Sequence, residues 1–212
     1  MEPDLVVLGF VFNDLYYKYF HRPRKDNLLG NEPTARLHYF NTNSFPGIIF
    51  ARSHLSHEIV RRSKILWKLI SQQPMFPFEL RGDFDLAWKD YGWIHTQKLI
   101  GMMQKLLTDK GVSFSVLVFP VSDQVNDQYR HVNKQYVLYP QSMINKICDS
   151  YEIPVVDLTD SIYINGGITL FRDYLHLNGK GNDVVVDELE RYIVNEIGLI
   201  ESGVEIHHPT NP

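Results

Sequence analysis

Three apolar runs along the chain predict buried strands. They occupy residues 5–12, 112–119 and 154–158, and each ends at polar residues or at proline. Runs of this kind are typical of strands covered on both faces, as in the interior of a parallel sheet. A fourth run, residues 47–50, is a weaker candidate.

Amphipathic segments follow these runs and predict helices. Apolar side chains recur at helical spacing in residues 53–73, 93–110, 141–152 and 183–197. An order of strand, helices, strand, helix, strand, helix favours right-handed crossovers and a mostly parallel sheet with helices on both faces. The predicted fold class is therefore α/β, in the form of a three-layer α/β/α sandwich.

Two segments depart from this alternation and are predicted to be insertions. Residues 15–50 are rich in Tyr, Phe, Asn and His, and residues 74–92 contain several Pro and Gly. Long loops in a compact domain often serve as binding elements or lids. The length suits one domain, predicted over residues 1–200, with residues 201–212 as a flexible tail.

Composition narrows the possible functions only slightly. The 21 Lys and Arg against 25 Asp and Glu give a net charge of −4, and no basic run indicates a nucleic-acid-binding face. No apolar stretch reaches the roughly 18 to 20 residues of a membrane span. Cys148 is the single cysteine, so no disulfide forms within the chain, and its helical pattern predicts a buried thiol rather than a nucleophile.

The residues best suited to chemistry are Asp173 and His176, which lie three apart just before the last predicted helix. On a turn, that spacing allows the carboxylate to accept a hydrogen bond from imidazole Nδ1. The acid then fixes the tautomer and leaves Nε2 as a general base. The alternative interpretation is a solvated surface turn. Asn13 and Asp14 follow the first strand, at the edge of a parallel sheet where ligands bind.

An early apolar strand ending in Asn-Asp, combined with Asp-x-x-His before the last helix, resembles the SGNH hydrolases, also called GDSL esterases and lipases. Residues 3–14 resemble the third of that family's four blocks, and residues 172–181 resemble the last. The resemblance implies that Asn13 donates to the oxyanion, that His176 is the general base and that Asp173 orients it. It also implies a flavodoxin-like sandwich and a serine ester hydrolase that requires no cofactor and no metal. Its substrate would be a small-molecule acyl or acetyl ester of a lipid or carbohydrate.

The nucleophile of that family is not found in this sequence. Its Gly-Asp-Ser block is absent, and the nearest segments, residues 82–84 and 148–150, read Gly-Asp-Phe and Cys-Asp-Ser. Ser44 and Ser122 lack the strand-to-helix elbow that exposes a nucleophilic serine. Asp14 is expected to be structural. The glycine of the third block would fall at Val11.

These departures lead to the expectation that the chain is the carboxyl-terminal part of a longer protein whose amino-terminal strands are missing here. As it stands, the chain is expected to be inactive. Residues 5–12 would then form an exposed apolar edge, through which another chain could pair.

Two alternatives to an esterase remain open. One is a non-catalytic SGNH-like binding or assembly module, and the other is an unrelated α/β domain in which Asp173 and His176 are ordinary surface residues. A metal site at His54 and His57 lacks further ligands, so a solvated helix end is the favoured interpretation. Residues 178–181 are interpreted as the start of the last helix rather than as a phosphate loop.

Overall fold

The computed structural model describes residues 3–15, 54–71, 74–80 and 84–196. The candidate strand at residues 47–50, Ser44, nearly all of the first predicted insertion and the predicted tail lie outside the described residues.

The three predicted strands are confirmed, and they form a parallel sheet. The strands are β1 (Leu5–Val11), β2 (Ser113–Phe119) and β3 (Val155–Asp157). Both pairings are parallel, in the order β1-β2-β3. Within the described part of the chain, β2 is therefore central, and the carboxyl ends of all three strands lie along one edge of the sheet.

The four predicted helices are also present, together with two that the sequence pattern does not indicate. The helices are α1 (His54–Ile70), α2 (Ile94–Thr108), α3 (Asp127–Val137), α4 (Tyr139–Asp149), α5 (Thr159–Ile164) and α6 (Gly179–Glu196). Helix α3 was missed because it is largely polar, and α5 because it is a short helix directly after β3. Helix α6 begins at Gly179 rather than at residue 183, since the Asn178 side chain accepts a hydrogen bond from Gly181 N at 3.1 Å.

Side chains of β2 pack alternately into two separate apolar clusters. Phe114, Val116 and Val118 belong to the larger cluster, which includes buried side chains from α2 and α4. Leu117 belongs to the smaller one, against which side chains of α6 pack. Successive residues of a strand point to opposite faces of the sheet, so both faces of β2 are buried. The chain is thus mixed α/β with an all-parallel sheet in its described part.

The described part of residues 74–92 is built into the core instead of forming an exposed loop. It contains the 3₁₀ helices Pro77–Leu80 and Asp85–Trp88, and a third, Asp90–Trp93, follows them. Phe78 and Trp88 are buried and stack with ring centroids 3.8 Å apart. The many aromatic side chains of this segment explain why it is buried. Its prolines and glycines alone indicate only a loop.

Candidate active site

Asp173 and His176 lie on a short, locally closed loop that precedes α6. A bridge between Phe171 and Leu177 closes the loop, and Arg172 N donates to His176 O at 2.8 Å. The two ends of the loop are therefore held together, and the four residues from Asp173 to His176 turn within it.

The Asp173 carboxylate accepts hydrogen bonds from three groups within this turn, two backbone N–H groups and one imidazole. Its Oδ1 accepts from the backbone N–H of His176 at 2.8 Å and from that of Leu175 at 2.9 Å. His176 Nδ1 lies 2.9 Å from Oδ2 and 3.0 Å from Oδ1. The backbone N–H of His176, followed by that of Leu175 and by the imidazole, lowers the pKa of Asp173 well below its ordinary value. Asp173 is therefore an ionised acceptor at neutral pH.

This arrangement determines which nitrogen of His176 can act as a base. A carboxylate beside Nδ1 favours the neutral tautomer with its hydrogen on Nδ1, which puts the lone pair on Nε2. The His176 side chain is 61% exposed and that of Asp173 is 49% exposed. The His176 imidazole is thus oriented by Asp173 while it remains accessible from solvent.

Asn13 follows β1 in the 3₁₀ helix Phe12–Leu15, where it is half-buried. Phe12 and Leu15 on either side of it are fully buried and fix this turn to the core. Asp14 Oδ2 accepts a hydrogen bond from Val11 N at 3.1 Å, so the carboxylate stabilises the end of the strand. This bond supports the structural role expected for Asp14.

The two predicted parts of the site lie at the same edge of the sheet. Val11, at the end of β1, pairs with Phe119, at the end of β2. Three residues beyond β2, Ser122 N donates to Tyr174 O at 3.0 Å, which attaches the Asp173–His176 loop to that edge. The Tyr174 ring also packs edge-on against Phe84 at 5.2 Å. The structure therefore joins Asp173 directly to His176 and places Asn13 on the edge to which their loop is attached.

A buried polar network beneath this edge was not found by sequence reasoning. Gln124 Oε1 accepts from Val121 N at 3.0 Å, and Gln124 Nε2 donates to Gln141 Oε1 at 2.7 Å. Gln141 Nε2 in turn donates to Thr159 Oγ1 at 3.0 Å. Its members come from three separate segments, so no local motif reveals it. Val121 directly precedes Ser122, and the network thereby holds the residue that supports the Asp173–His176 loop.

Thr159 also connects this network to the half-buried carboxylate of Asp157 at the end of β3. Its backbone N donates to Asp157 Oδ1 at 2.9 Å. Burial raises the pKa of Asp157, and the hydrogen bonds from Thr159 act in the opposite direction.

The candidate nucleophiles differ in where the structure places them. Ser122 lies at the site edge and is half-buried, at the start of the 3₁₀ helix Ser122–Val125. Cys148 is fully buried in α4, and burial raises the pKa of its thiol to about 12. The buried thiol predicted for Cys148 is confirmed. Phe84, at the end of the Gly-Asp-Phe segment, is also buried.

The described residues lack two features, a set of metal ligands and a membrane-spanning helix. No group of three or more His, Cys, Asp or Glu side chains is positioned there to hold a metal ion. None of the described helices has the length and apolar character needed to cross a membrane.

No model of a known protein family matches this sequence, and no curated protein matches it. Any function proposed for this chain therefore rests on its own residues and their geometry.

Proposed function

We propose that this chain carries the acid–base half of an SGNH-type ester hydrolase, with Asp173 and His176 as the orienting acid and general base and Asn13 as an oxyanion donor. The observation that carries the proposal is the hydrogen bond of 2.9 Å between His176 Nδ1 and Asp173 Oδ2. It occurs on an exposed loop at the carboxyl edge of a parallel sheet, where ligands bind in folds of this class.

The same proposal includes the finer form of the fold, a three-layer α/β/α sandwich. Two observations support it: side chains of β2 enter two separate clusters, and these clusters draw on different helices. Helices α2 and α4 contribute to one cluster, whereas α5 and α6 contribute to the other. Such an arrangement is the usual way to bury both faces of a parallel sheet.

The proposed reaction is a serine acyl transfer on a small-molecule ester. His176 Nε2 accepts the proton of the serine hydroxyl as its oxygen attacks the ester carbonyl, and the Asn13 amide donates to the oxyanion that forms. The imidazolium, stabilised by Asp173, then protonates the leaving alcohol. Water attacks the acyl-enzyme in the second half-reaction, again with His176 as the base, and releases the acid.

This mechanism requires a serine that the sequence does not identify. Ser122 is the described serine attached to the loop through its backbone, but it lies after β2 rather than on a strand-to-helix elbow. The proposed reaction therefore requires a nucleophilic serine in addition to Asp173, His176 and Asn13, and no Gly-Asp-Ser segment occurs in the sequence.

A second candidate function follows from that same missing block. A chain that retains the fold and the Asp-His turn without a nucleophile would be a non-catalytic binding or assembly module. Sequencing the transcript that contains this reading frame separates the two candidates, because only the enzyme needs an in-frame Gly-Asp-Ser block.

The activity test compares the 212-residue chain with the protein encoded by the whole reading frame, using p-nitrophenyl acetate. We expect the longer protein to turn over, with His176→Ala reducing kcat by about 10²- to 10⁴-fold and Asn13→Ala by about 10²- to 10³-fold. His131→Ala is the matched control, since His131 is exposed and its Nδ1 contacts a backbone carbonyl, Asp127 O, at 2.7 Å. Equal turnover in the His176 and His131 variants would refute the proposed base. Turnover by the 212-residue chain that vanishes in Ser122→Ala would instead identify Ser122 as the nucleophile.

A further inference from the structure

The Asp173–His176 loop is held together at its base by backbone hydrogen bonds. Asn178 N donates to Leu170 O at 2.8 Å, one step further from the tip of the loop than the bridge between Phe171 and Leu177. The loop is therefore a short hairpin whose base is the pair formed by Leu170 and Asn178, and any change in that pair reaches the tip through only a few residues.

The side chain of Asn178 makes two further hydrogen bonds at this base. Its Oδ1 accepts from Gly181 N at 3.1 Å, in the first turn of α6. Its Nδ2 donates to Thr169 O at 2.8 Å, in the 3₁₀ helix Gly167–Leu170. One half-buried side chain thus joins three segments: the 3₁₀ helix before the loop, the loop itself and the helix after it.

Capping of α6 does not by itself require an asparagine at this position. Aspartate or serine would accept the hydrogen bond from a helix N-terminus about as well. Asparagine differs because its amide group carries both an acceptor and donors, and the structure uses both. The bond from Asn178 Nδ2 to Thr169 O reaches back nine residues and satisfies none of the N–H groups of α6. This bond therefore acts on the loop rather than on the helix.

The segments that Asn178 joins are fixed to the core, whereas the His176 ring is not. Leu170 is 4% exposed in the smaller apolar cluster, and Val184 and Val185 of α6 pack against the same cluster. The His176 side chain is 61% exposed, so packing does not hold the imidazole. Its orientation depends on the backbone of its own loop, and Asn178 connects that backbone to the fixed segments.

We propose that Asn178 is a positioning residue for the general base: its amide holds the base of the loop at the spacing that keeps His176 Nδ1 against the Asp173 carboxylate. For catalysis this inference rests on the proposed function, while the orientation of the imidazole is a property of the chain itself. Without the amide donor the loop widens at its base. The imidazole then spends less time against Asp173, and Nε2 is less often aimed for proton transfer.

The test compares Asn178→Ser with a matched control, Asn165→Ser. Serine keeps an acceptor for Gly181 N, so α6 retains its cap, and it adds no charge near the imidazole. Asn165 also donates from Nδ2 to a backbone carbonyl, Ser161 O, at 2.8 Å, and it also precedes a glycine. It lies at the end of α5, however, and not in the loop. Thermal unfolding will show that both variants retain the fold.

Nitrogen NMR of the His176 ring in the 212-residue chain gives the direct readout. In mildly alkaline solution it measures the ratio of the neutral tautomer with hydrogen on Nδ1 to the one with hydrogen on Nε2. We expect this ratio to fall at least about threefold in Asn178→Ser and to stay unchanged in Asn165→Ser. The original chain offers a second measurement: the Asn178 Nδ2 hydrogens should exchange with solvent at least about fivefold more slowly than those of the exposed Gln135.

In the longer protein, with p-nitrophenyl acetate, Asn178→Ser should lower kcat about tenfold and leave KM within about twofold, because only the proton-transfer step is affected. A tautomer ratio that is unchanged in Asn178→Ser, or that changes equally in both variants, would overturn the positioning role and leave Asn178 as a helix cap. Exchange of its Nδ2 hydrogens as fast as in Gln135 would also overturn it. A changed ratio in a longer protein that does not hydrolyse the ester would support the role of Asn178 toward His176 and refute the proposed esterase.

Discussion

Replacing Gly181 by alanine should destabilise the protein, while the same replacement at Gly179 should not. Both glycines lie in the first turn of α6. A Cβ atom on Gly181 would lie 2.5 Å from Leu170 O and 3.0 Å from two side-chain atoms of Leu177. A Cβ on Gly179 would meet nothing within 4 Å. The two substitutions are chemically identical and differ only in the space around them.

The expected loss of stability follows from the close contact between this Cβ atom and Leu170 O. Leu170 O already accepts a hydrogen bond from Asn178 N at 2.8 Å, so the carbonyl cannot move without loss of that bond. Forcing a methyl group into such a packed position costs about 1–3 kcal/mol, and the higher helix propensity of alanine offsets at most about 1 kcal/mol. We expect Gly181→Ala to lose about 1–2 kcal/mol and Gly179→Ala to change stability by about 0 to +1 kcal/mol. The two variants should thus differ by about 1–3 kcal/mol, which at about 2–4 °C per kcal/mol separates their Tm values by roughly 2–12 °C.

Urea unfolding followed by circular dichroism measures both variants against the original chain. A parallel NMR spectrum should show shifted His176 signals in Gly181→Ala alone, because Leu170 and Leu177 flank the Asp173–His176 loop. If the two variants agree within about 0.5 kcal/mol, then α6 does not begin as close to Leu170 as the structure places it, and the reasoning fails.

Three further predictions concern single groups. The Asp173 carboxyl should titrate below the ordinary value of about 3.9 in carbon-detected NMR. Because its folded-state pKa is lowered, it stabilises the fold above about pH 4 and loses that effect as the pH falls, so the difference in stability between the original chain and Asp173→Asn should shrink in acid. A midpoint at or above 3.9 would contradict the hydrogen bonding described. Cys148, buried and with a pKa raised to about 12, should react with a thiol reagent at pH 8 at least about a hundredfold more slowly in the native chain than in urea, and equal rates would show that the thiol is accessible. Gln124→Leu should lose about 3–5 kcal/mol in urea unfolding, since it leaves several buried groups without partners, whereas the exposed Gln135→Leu should change stability by less than about 0.5 kcal/mol. Similar losses of stability in the two glutamine variants would mean that the buried network contributes little to the free energy of unfolding.

Local pattern was sufficient to predict the strands and the Asp-His turn. β1 is a continuous apolar run and β2 is largely apolar, which is typical of strands in a parallel sheet covered on both faces. Asp173 and His176 lie three residues apart, so their contact depends on a single turn and needs no knowledge of the rest of the fold. The catalytic roles of these two residues and of Asn13 stay predictions.

The structural features that the sequence pattern did not predict depend on contacts between distant segments. Helix α3 has few apolar residues, and its buried residues are Arg130 and Val137. Their burial depends on partners elsewhere in the chain: Arg130, for example, forms an ion pair with Asp160 at 2.7 Å. Residues 74–92 stay a predicted insertion, and their Pro and Gly content could not show that Phe78 and Trp88 within them are core residues. The periodicity of α1 located the helix correctly but could not show that Ile59, Leu66 and Ile70 are exposed, since periodicity does not reveal which side of a helix meets the protein.

The register of the sheet has a consequence for the order in which the chain folds. β2 pairs with β3 across 39 residues, as in Val116 with Val155, but with β1 across 108 residues, as in Leu5 with Ser113. Loop-closure entropy grows with the logarithm of length, so closing the longer loop costs about 0.9 kcal/mol more. We expect the segment from β2 to α6 to condense first and β1 to dock onto it afterwards. Asn13 would then reach the sheet edge in a late, long-range step, whereas Asp173 and His176 can meet as soon as their own turn forms.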